Sequence, residues 1–358
     1  MSNTEAHPDE LVLGDGGCAQ PESDCPGADV EIITAREVPL GGPRAMTVHR
    51  TLPQRQRSMI GAWCFADHYG PDDVSVTGGM DVAPHPHTGL QTVSWLFEGE
   101  IQHIDSGGNR GLVRPGEVNL MTSGGGICHS ETSTAHTTAL HGVQLWLALP
   151  EGARTDAPRA FEHYAPTPFR LTGLTPPRSA GQARVFIGTM FGQTSPVTTY
   201  TPLLGAELKV APGQEFVMQV NPEFEHGLLV DAAGLQLEGV DIPARAIGYT
   251  GVGEKTLTVK NTTDAEIYAI LLGGEPFGEE ILMWWNFVAR DYNEIEQYRR
   301  EWQARGERFG RVEGYVGHGG PDRNAEGQSW LPAPELPNAR IRPRKNPEPV
   351  ARPSQERG

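Results

Sequence analysis

The residues in this chain best suited to chemistry are its histidines. There are twelve, and nine fall between His49 and His163. Six of those occupy one stretch: His85, His87, His103, His129, His136 and His141. Imidazole is costly to bury without a task, so such clustering points to a metal site. In His85-Pro86-His87 two imidazoles stand at i and i+2, and on an extended segment both face the same side. Pro86 keeps its predecessor extended and removes a backbone donor, which suits an edge or strand-entry position. The stretch SGGGICHSE repeats the spacing with a second pair, His129 and Glu131. Two strands, each carrying one such pair, would supply three neutral nitrogens and one carboxylate. That set suits a first-row divalent ion with one or two open positions.

The elements that must position these pairs read as short strands. Gly and Pro number 44 and 30, and turn signals recur every eight to twelve residues, the rhythm of an all-β chain. TVSWLF, residues 92–97, is rich in β-branched and aromatic side chains. In GVQLWLALP the residues Val143, Leu145, Leu147 and Leu149 share one face, with Gln144 and Trp146 on the other. Residues 150–185 are Pro-rich and broken by turns, which predicts a connector. The β pattern resumes in RVFIG, AELKV, EFVMQV, HGLLVD, KTLTVK and EIYAILL. One helix is predicted in DYNEIEQYRREWQARGERFG: Asp291 and Glu294 have capping-box spacing, Ile295, Tyr298 and Trp302 share a face, and Gly306 offers a stop.

Composition narrows the function classes. The chain of 358 residues carries 45 acidic against 29 basic side chains, a formal charge of -16. Such a surface repels phosphate backbones and anionic lipid, so neither direct nucleic-acid binding nor membrane docking is expected. The polar N-terminus lacks the apolar stretch of a secretory signal, and no run of 18 apolar residues occurs. Four cysteines, Cys18, Cys25, Cys64 and Cys128, are too few and scattered for a disulfide framework, which predicts a cytoplasmic protein. Neither a Gly-x-Ser-x-Gly nucleophile elbow nor a phosphate loop is present.

The stretch GGMDVAPHPHTGLQTVSWLFEGEIQHIDSGGNRG, continuing into VRPGEVNLMTSGGGICHSE, resembles the metal-binding signature of the pirins, within the cupin superfamily. Gly79 stands before His85 at the spacing of the first cupin motif, Gly99 closes the strand pair, and Gly126-x-x-His129 matches the second motif. In pirins a Glu two residues beyond that histidine is the fourth ligand, here Glu131. Gln91 occupies a place where other cupins often carry a ligating Glu, which weakens a generic cupin reading more than a pirin one. GAWCFADHYGP, HGVQLWLALP and LLGGEPFGEEILMWWNFVARDYNEIEQ extend the resemblance, which covers about Arg36 to Phe309.

The resemblance implies an all-β bicupin: two cupin-type β-barrels, with a C-terminal strand and helix packing back on the N-terminal barrel. The expected division is a disordered tail at 1–30, an N-terminal metal-binding cupin domain at 31–170, and a second cupin domain without metal at 171–275. The C-terminal strand and helix take 276–312, and a solvated Pro/Arg-rich tail takes 313–358. The second half holds only His226 and His318, so one metal per chain is expected, held by His85, His87, His129 and Glu131. Fe(II) is the expected ion, with Mn, Ni, Cu or Zn as alternatives. His103 and Asp105 could orient a ligand or form a plain polar face, His136 and His141 belong to surface loops, and Cys128 packs on the opposite face.

Functionally the resemblance implies quercetin 2,3-dioxygenase-type cleavage of a flavonol or related enol by dioxygen, with Glu131 as a base for the substrate hydroxyl. Two alternatives stay open. One is a non-catalytic redox sensor that binds and regulates a transcription factor or metabolic enzyme, with the loop Gly124–Gly126 reporting the ion's state. The other is a closed structural Zn(II) site. A monomer is expected.

Overall fold

The computed structural model describes residues 30–40, 46–174 and 179–349. Cys18, Cys25 and the expected N-terminal tail up to residue 29 lie outside them. Two β-barrels make up the fold, each built from a seven-stranded and a four-stranded sheet. In the first, the large sheet runs Ala160–Tyr164, Val118–Thr122, Leu90–Glu98, Ala139–Ala148, Trp63–Asp73, Met46–Leu52, Arg36–Leu40. Its small sheet runs Asp81–His87, Ile127–Ser133, Ile101–Asp105, Arg110–Val113. The second barrel pairs the large sheet centred on Ile267–Gly274 with a small one containing Glu215–Gln219 and Thr256–Asn261. The expected two-barrel, all-β architecture is therefore present.

The large sheets are buried on both faces at their centres. Trp63, Val93, Trp95, Val143, Leu145 and Leu147 of the first barrel form one apolar cluster with Phe186, Leu229, Ile270 and Leu272 of the second. The alternation in GVQLWLALP thus marks the face turned to the other barrel. Its opposite face, with Gln144 and Trp146, lines the first barrel's interior. Along the interior face of each central strand, apolar residues flank a polar middle: Phe65, Asp67, Tyr69; Leu90, Ser94, Leu96; Trp146, Gln144, Leu140. The barrel therefore has apolar ends and a polar belt. Polar ties cross the inter-barrel seam as well: Trp63 Nε1 donates to the Gly273 carbonyl at 3.1 Å, and Trp95 Nε1 to Glu207 Oε2 at 2.9 Å. Both indoles are fully buried; each removes ~200 Å² from water, worth roughly 5 kcal/mol as an upper bound.

Three segments depart from the sequence reading. Glu31–Ile33 does not join the first barrel but pairs with Ile247–Tyr249 at the edge of the second; three residues carry too little pattern to choose a partner. Within the expected connector, Ala160–Tyr164 pairs with Val118–Thr122, and Phe169–Thr172 with the strand Ser179–Ile187. The first two are half-exposed edge strands, so no buried face imposes a period. The described part of the C-terminal tail is not free in solvent. Tyr315 Oη donates to Asp81 Oδ1 at 2.6 Å, Leu331 N to the Pro84 carbonyl at 2.9 Å, and Asn346 Nδ2 to the Met59 carbonyl at 2.6 Å. Proline-rich composition hid a strap held by these hydrogen bonds and by Trp330, Leu331, Ala333, Leu336 and Ile341 packing on the helix cluster.

The helix forms at Tyr292–Gln303, with Asp291 accepting from Asn293 N and Glu294 N. Glu294 Oε2 accepts from Arg290 N rather than from the cap's own amide. The helix ends in a Schellman arrangement, Gly306 N to the Glu301 carbonyl and Arg305 N to the Trp302 carbonyl, both 2.9 Å. Arg305, not Gly306, takes the left-handed position (φ 55°), and its guanidinium stacks on Trp302 and Trp330. The buried helix face packs with Cys128, Trp284, Phe287 and Phe309, so the helix lies on the N-terminal barrel. Among the described residues no helix is long and apolar enough to cross a membrane.

His226, fully buried in the second barrel, has no hydrogen-bond partner on either ring nitrogen. Burial pushes its pKa from 6.5 down to about 4. The unfolded chain therefore binds a proton that the folded one refuses between those values. The His226 contribution to stability is full above pH 6.5 and lost as pH falls toward 4, at ~1.4 kcal/mol per pH unit. His226→Leu should flatten the acid limb of a denaturant-derived stability profile by that slope.

Candidate metal centre

Asp81–His87 and Ile127–Ser133 run antiparallel, with His129 opposite His85 and Ile127 opposite His87. The register then slips by one residue, so that Glu131 faces Val82. Pro84 lies in the slip, where a missing N–H costs the ladder nothing. On the other flank Glu131 pairs with His103 and His129 with Asp105. Two glycines of the motif are required by geometry. Gly99 has φ 95°, and a Cβ there would lie 2.6 Å from the Ala139 carbonyl oxygen. At Gly126, φ 153°, a Cβ would meet Arg308 Cγ at 2.7 Å.

The i, i+2 pairs converge. His85, His87 and His129 are fully buried, and each can offer a nitrogen within 4.8 Å of the others. The same reach joins Glu131 to His129 and His103. Burial pushes His85 down to about 4, against the opposing pull of the Glu131 charge. Burial, reinforced by neighbouring His85, pushes His87 and His129 well below 6.5. At neutral pH these rings are uncharged and carry a lone pair each.

Hydrogen bonds settle where those lone pairs point. His85 Nδ1 lies 2.9 Å from the Ala83 carbonyl, so it carries the proton and leaves Nε2 bare, buried and unpartnered. Asp105 accepts from Gly107 N at 2.7 Å and Asn109 N at 3.1 Å, and its other oxygen lies 3.3 Å from His103 Nε2. That carboxylate holds the His103 proton on Nε2, so His103 Nδ1 accepts from His129 Nδ1 across 3.1 Å. His129 Nε2 is then bare and meets His87 Nε2 at 3.1 Å. That distance suits a hydrogen bond from His87 to His129, and equally two ligand nitrogens on one ion with bonds of about 2.1 Å; His85 Nε2, buried beside them, has no partner in the protein. The residues fit a bound divalent metal. Ser94 Oγ stands 3.4 Å from Glu131 Oε1 and 2.9 Å from Gln144 Oε1, and Trp146 meets His87 edge-on at 5.2 Å.

His103 and Asp105 thus act as a relay behind His129. Cys128 faces the helix side, with Sγ 3.6 Å from the Gly310 carbonyl. Gln91 points away from the site, donating to Thr122 Oγ1 and the Thr198 carbonyl. His136 lies in an exposed turn. His141 does not: it sits on Ala139–Ala148, buried, in contact with His68 and Asp231. The alternation of Val143, Leu145 and Leu147, extended back by two residues, includes it. Ser94 and Gln144 also escaped notice, because a polar residue on an all-buried strand looks like a solvent-facing one.

Comparison with known proteins identifies the family. Residues 45–147 match the model of the pirin family, and residues 205–310 that of the pirin C-terminal cupin domain. The chain belongs to the pirin family. A Pseudomonas aeruginosa protein named "Putative quercetin 2,3-dioxygenase PA1205" is 40% identical over 88% of this chain and 95% of its own length. A pirin-like protein of Caulobacter vibrioides is 33% identical, over 76% of this chain and 92% of its own. The crystal structure of a quercetin 2,3-dioxygenase from Acinetobacter baumannii superposes with a TM-score of 0.76 at 36% identity, covering 88% of this pirin-family chain and 97% of that one.

Loss of the relay should cost metal affinity without removing a ligand atom. Asp105→Asn is expected to weaken metal binding ~10–100-fold, and His87→Ala to weaken it further. Competition with a chromogenic chelator measures both.

Proposed function

We propose that this chain is a metal-dependent dioxygenase of the quercetin 2,3-dioxygenase type, opening a flavonol or related enol at an ion held by His85, His87, His129 and Glu131. The observation that carries this reading is the convergence of three buried, neutral imidazoles with a buried carboxylate alongside. The names of the relatives at 40% and 36% identity support it. Fe(II) is the ion we assign. When bound, it supplies positive charge that acidifies an enol hydroxyl and a redox centre for dioxygen.

The chain's own residues do the rest. Glu131 takes the proton from the substrate hydroxyl, a role its carboxylate can perform while Ser94 steadies Oε1. The Asp105–His103 relay keeps His129 in the tautomer that presents Nε2. Trp146, stacked on Phe65 at 3.9 Å, walls the interior beside His87, which is fully buried. Small aromatic substrates and dioxygen are the partners this site calls for. The two described cysteines, Cys64 and Cys128, are free and buried, which fits the cytoplasm.

Anaerobic reconstitution with Fe(II), followed by oxygen-electrode assays with quercetin, tests the reading. Wild type should consume oxygen only with flavonol present, and His87→Ala should abolish the uptake. Glu131→Gln should lower kcat ~10²–10⁴-fold. Iron binding without oxygen uptake would sink the dioxygenase assignment and favour a redox sensor read by a regulatory protein partner.

A further inference from the structure

A second group of metal-ligating side chains lies outside the barrel interior. His68 on Trp63–Asp73 and His141 on Ala139–Ala148 come from the first barrel. Asp231, directly after Glu225–Val230, comes from the second. His68 Nε2 stands 2.9 Å and His141 Nε2 2.8 Å from the same oxygen, Asp231 Oδ1. Both imidazoles are buried, His68 at 1% and His141 at 7% exposure, whereas the Asp231 side chain keeps 16% and so a path to solvent. The seat is rigid: Phe97 packs 4.8 Å from both His141 and Tyr268, and Asp231 N donates to the Tyr268 carbonyl at 3.0 Å.

We propose that His68, His141 and Asp231 form a second divalent-metal site, of the Zn(II) type, that joins the two barrels. Two imidazole nitrogens from adjacent strands of one sheet and a carboxylate oxygen from the other barrel all fall within 4.8 Å of one another. Three protein ligands with a fourth position left to water is an arrangement zinc accepts. In a tetrahedral site with bonds near 2.0 Å, ligand atoms stand about 3.3 Å apart, so each nitrogen need retreat by only ~0.5 Å from its present hydrogen bond. Nitrogen donors with a single carboxylate select a borderline ion over calcium or magnesium, which require oxygen.

Protonation favours the same conclusion. Burial lowers the His68 pKa, against the pull of Asp231, so its ring is neutral and can donate a lone pair. Burial would raise Asp231, but hydrogen bonds from His141 and His68 hold it well below its usual value, as an anion. Without an ion the Asp231 carboxylate holds the His68 proton on Nε2; Nδ1 is buried without a hydrogen-bond partner and is the nitrogen that takes the proton when Nε2 turns to a metal. Arg245 lowers His68 further through space and lowers neighbouring His49 as well, where Glu37 and Asp72 pull the other way.

Equilibrium dialysis of the chelator-stripped full chain against Zn(II), with metal counted by mass spectrometry, decides the matter. Asp231→Asn and His141→Ala should each bind one equivalent fewer than wild type, whereas His87→Ala should retain that equivalent. Zinc-edge anomalous scattering from crystals of the loaded wild type should show a peak between His68, His141 and Asp231. Near-UV circular dichroism establishes that each variant is folded; Asp231→Asn, nearly isosteric, stands alone if His141→Ala is not. Equal zinc in wild type and Asp231→Asn, or no anomalous peak at the trio, would overturn the proposal and leave a hydrogen-bonded clamp between barrels.

Discussion

Three uncharged imidazoles converge in a dry interior with fewer hydrogen-bond partners than they have ring nitrogens. His87 Nε2 and His129 Nε2 meet at 3.1 Å, and His85 Nε2 has no partner. Burying an unpartnered ring nitrogen such as His85 Nε2 costs free energy that a bound cation recovers. The surrounding structure exists to hold that state. The Ala83 carbonyl and the Asp105–His103 pair choose the tautomers. Glu131 falls near His129 and His103 because it stands two residues beyond the one and opposite the other in unbroken register.

The strand carrying His85 and His87 lies at the edge of its sheet, a position open to unwanted pairing. Two devices protect it. Pro84 and Pro86 remove outward donors, and the chain's own later segments cover the carbonyls: Val288 N donates to Thr88 and Leu331 N to Pro84. The C-terminal hairpin, helix and strap are therefore part of the metal centre's support, although no residue of theirs is among the proposed ligands.

The second organising feature is the back-to-back contact of the large sheets. Strands such as Ala139–Ala148 bury one face in the other barrel and the other in their own. One strand thereby serves two sites. Gln144 and Trp146 look toward the imidazoles of the barrel, while His141 looks outward to Asp231.

Much of the primary site was legible because spacing alone places side chains on one face: His85 with His87, and His129 with Glu131. The two-barrel, all-β plan was legible from turn rhythm and from the resemblance to pirins, and the helix from its cap and its apolar stripe. Sequence could not say that His129 lies opposite His85 across 44 residues of chain, since register is a property of two strands together. Nor could it tell which face of GVQLWLALP meets which barrel, because both are buried and hydrophobicity distinguishes only buried from wet. Asp231 stands 90 residues from His141, and no local pattern links them. The sequence by itself determined which residues share a face. The tertiary structure decided which faces meet, because that depends on packing two barrels whose contacts are long-range.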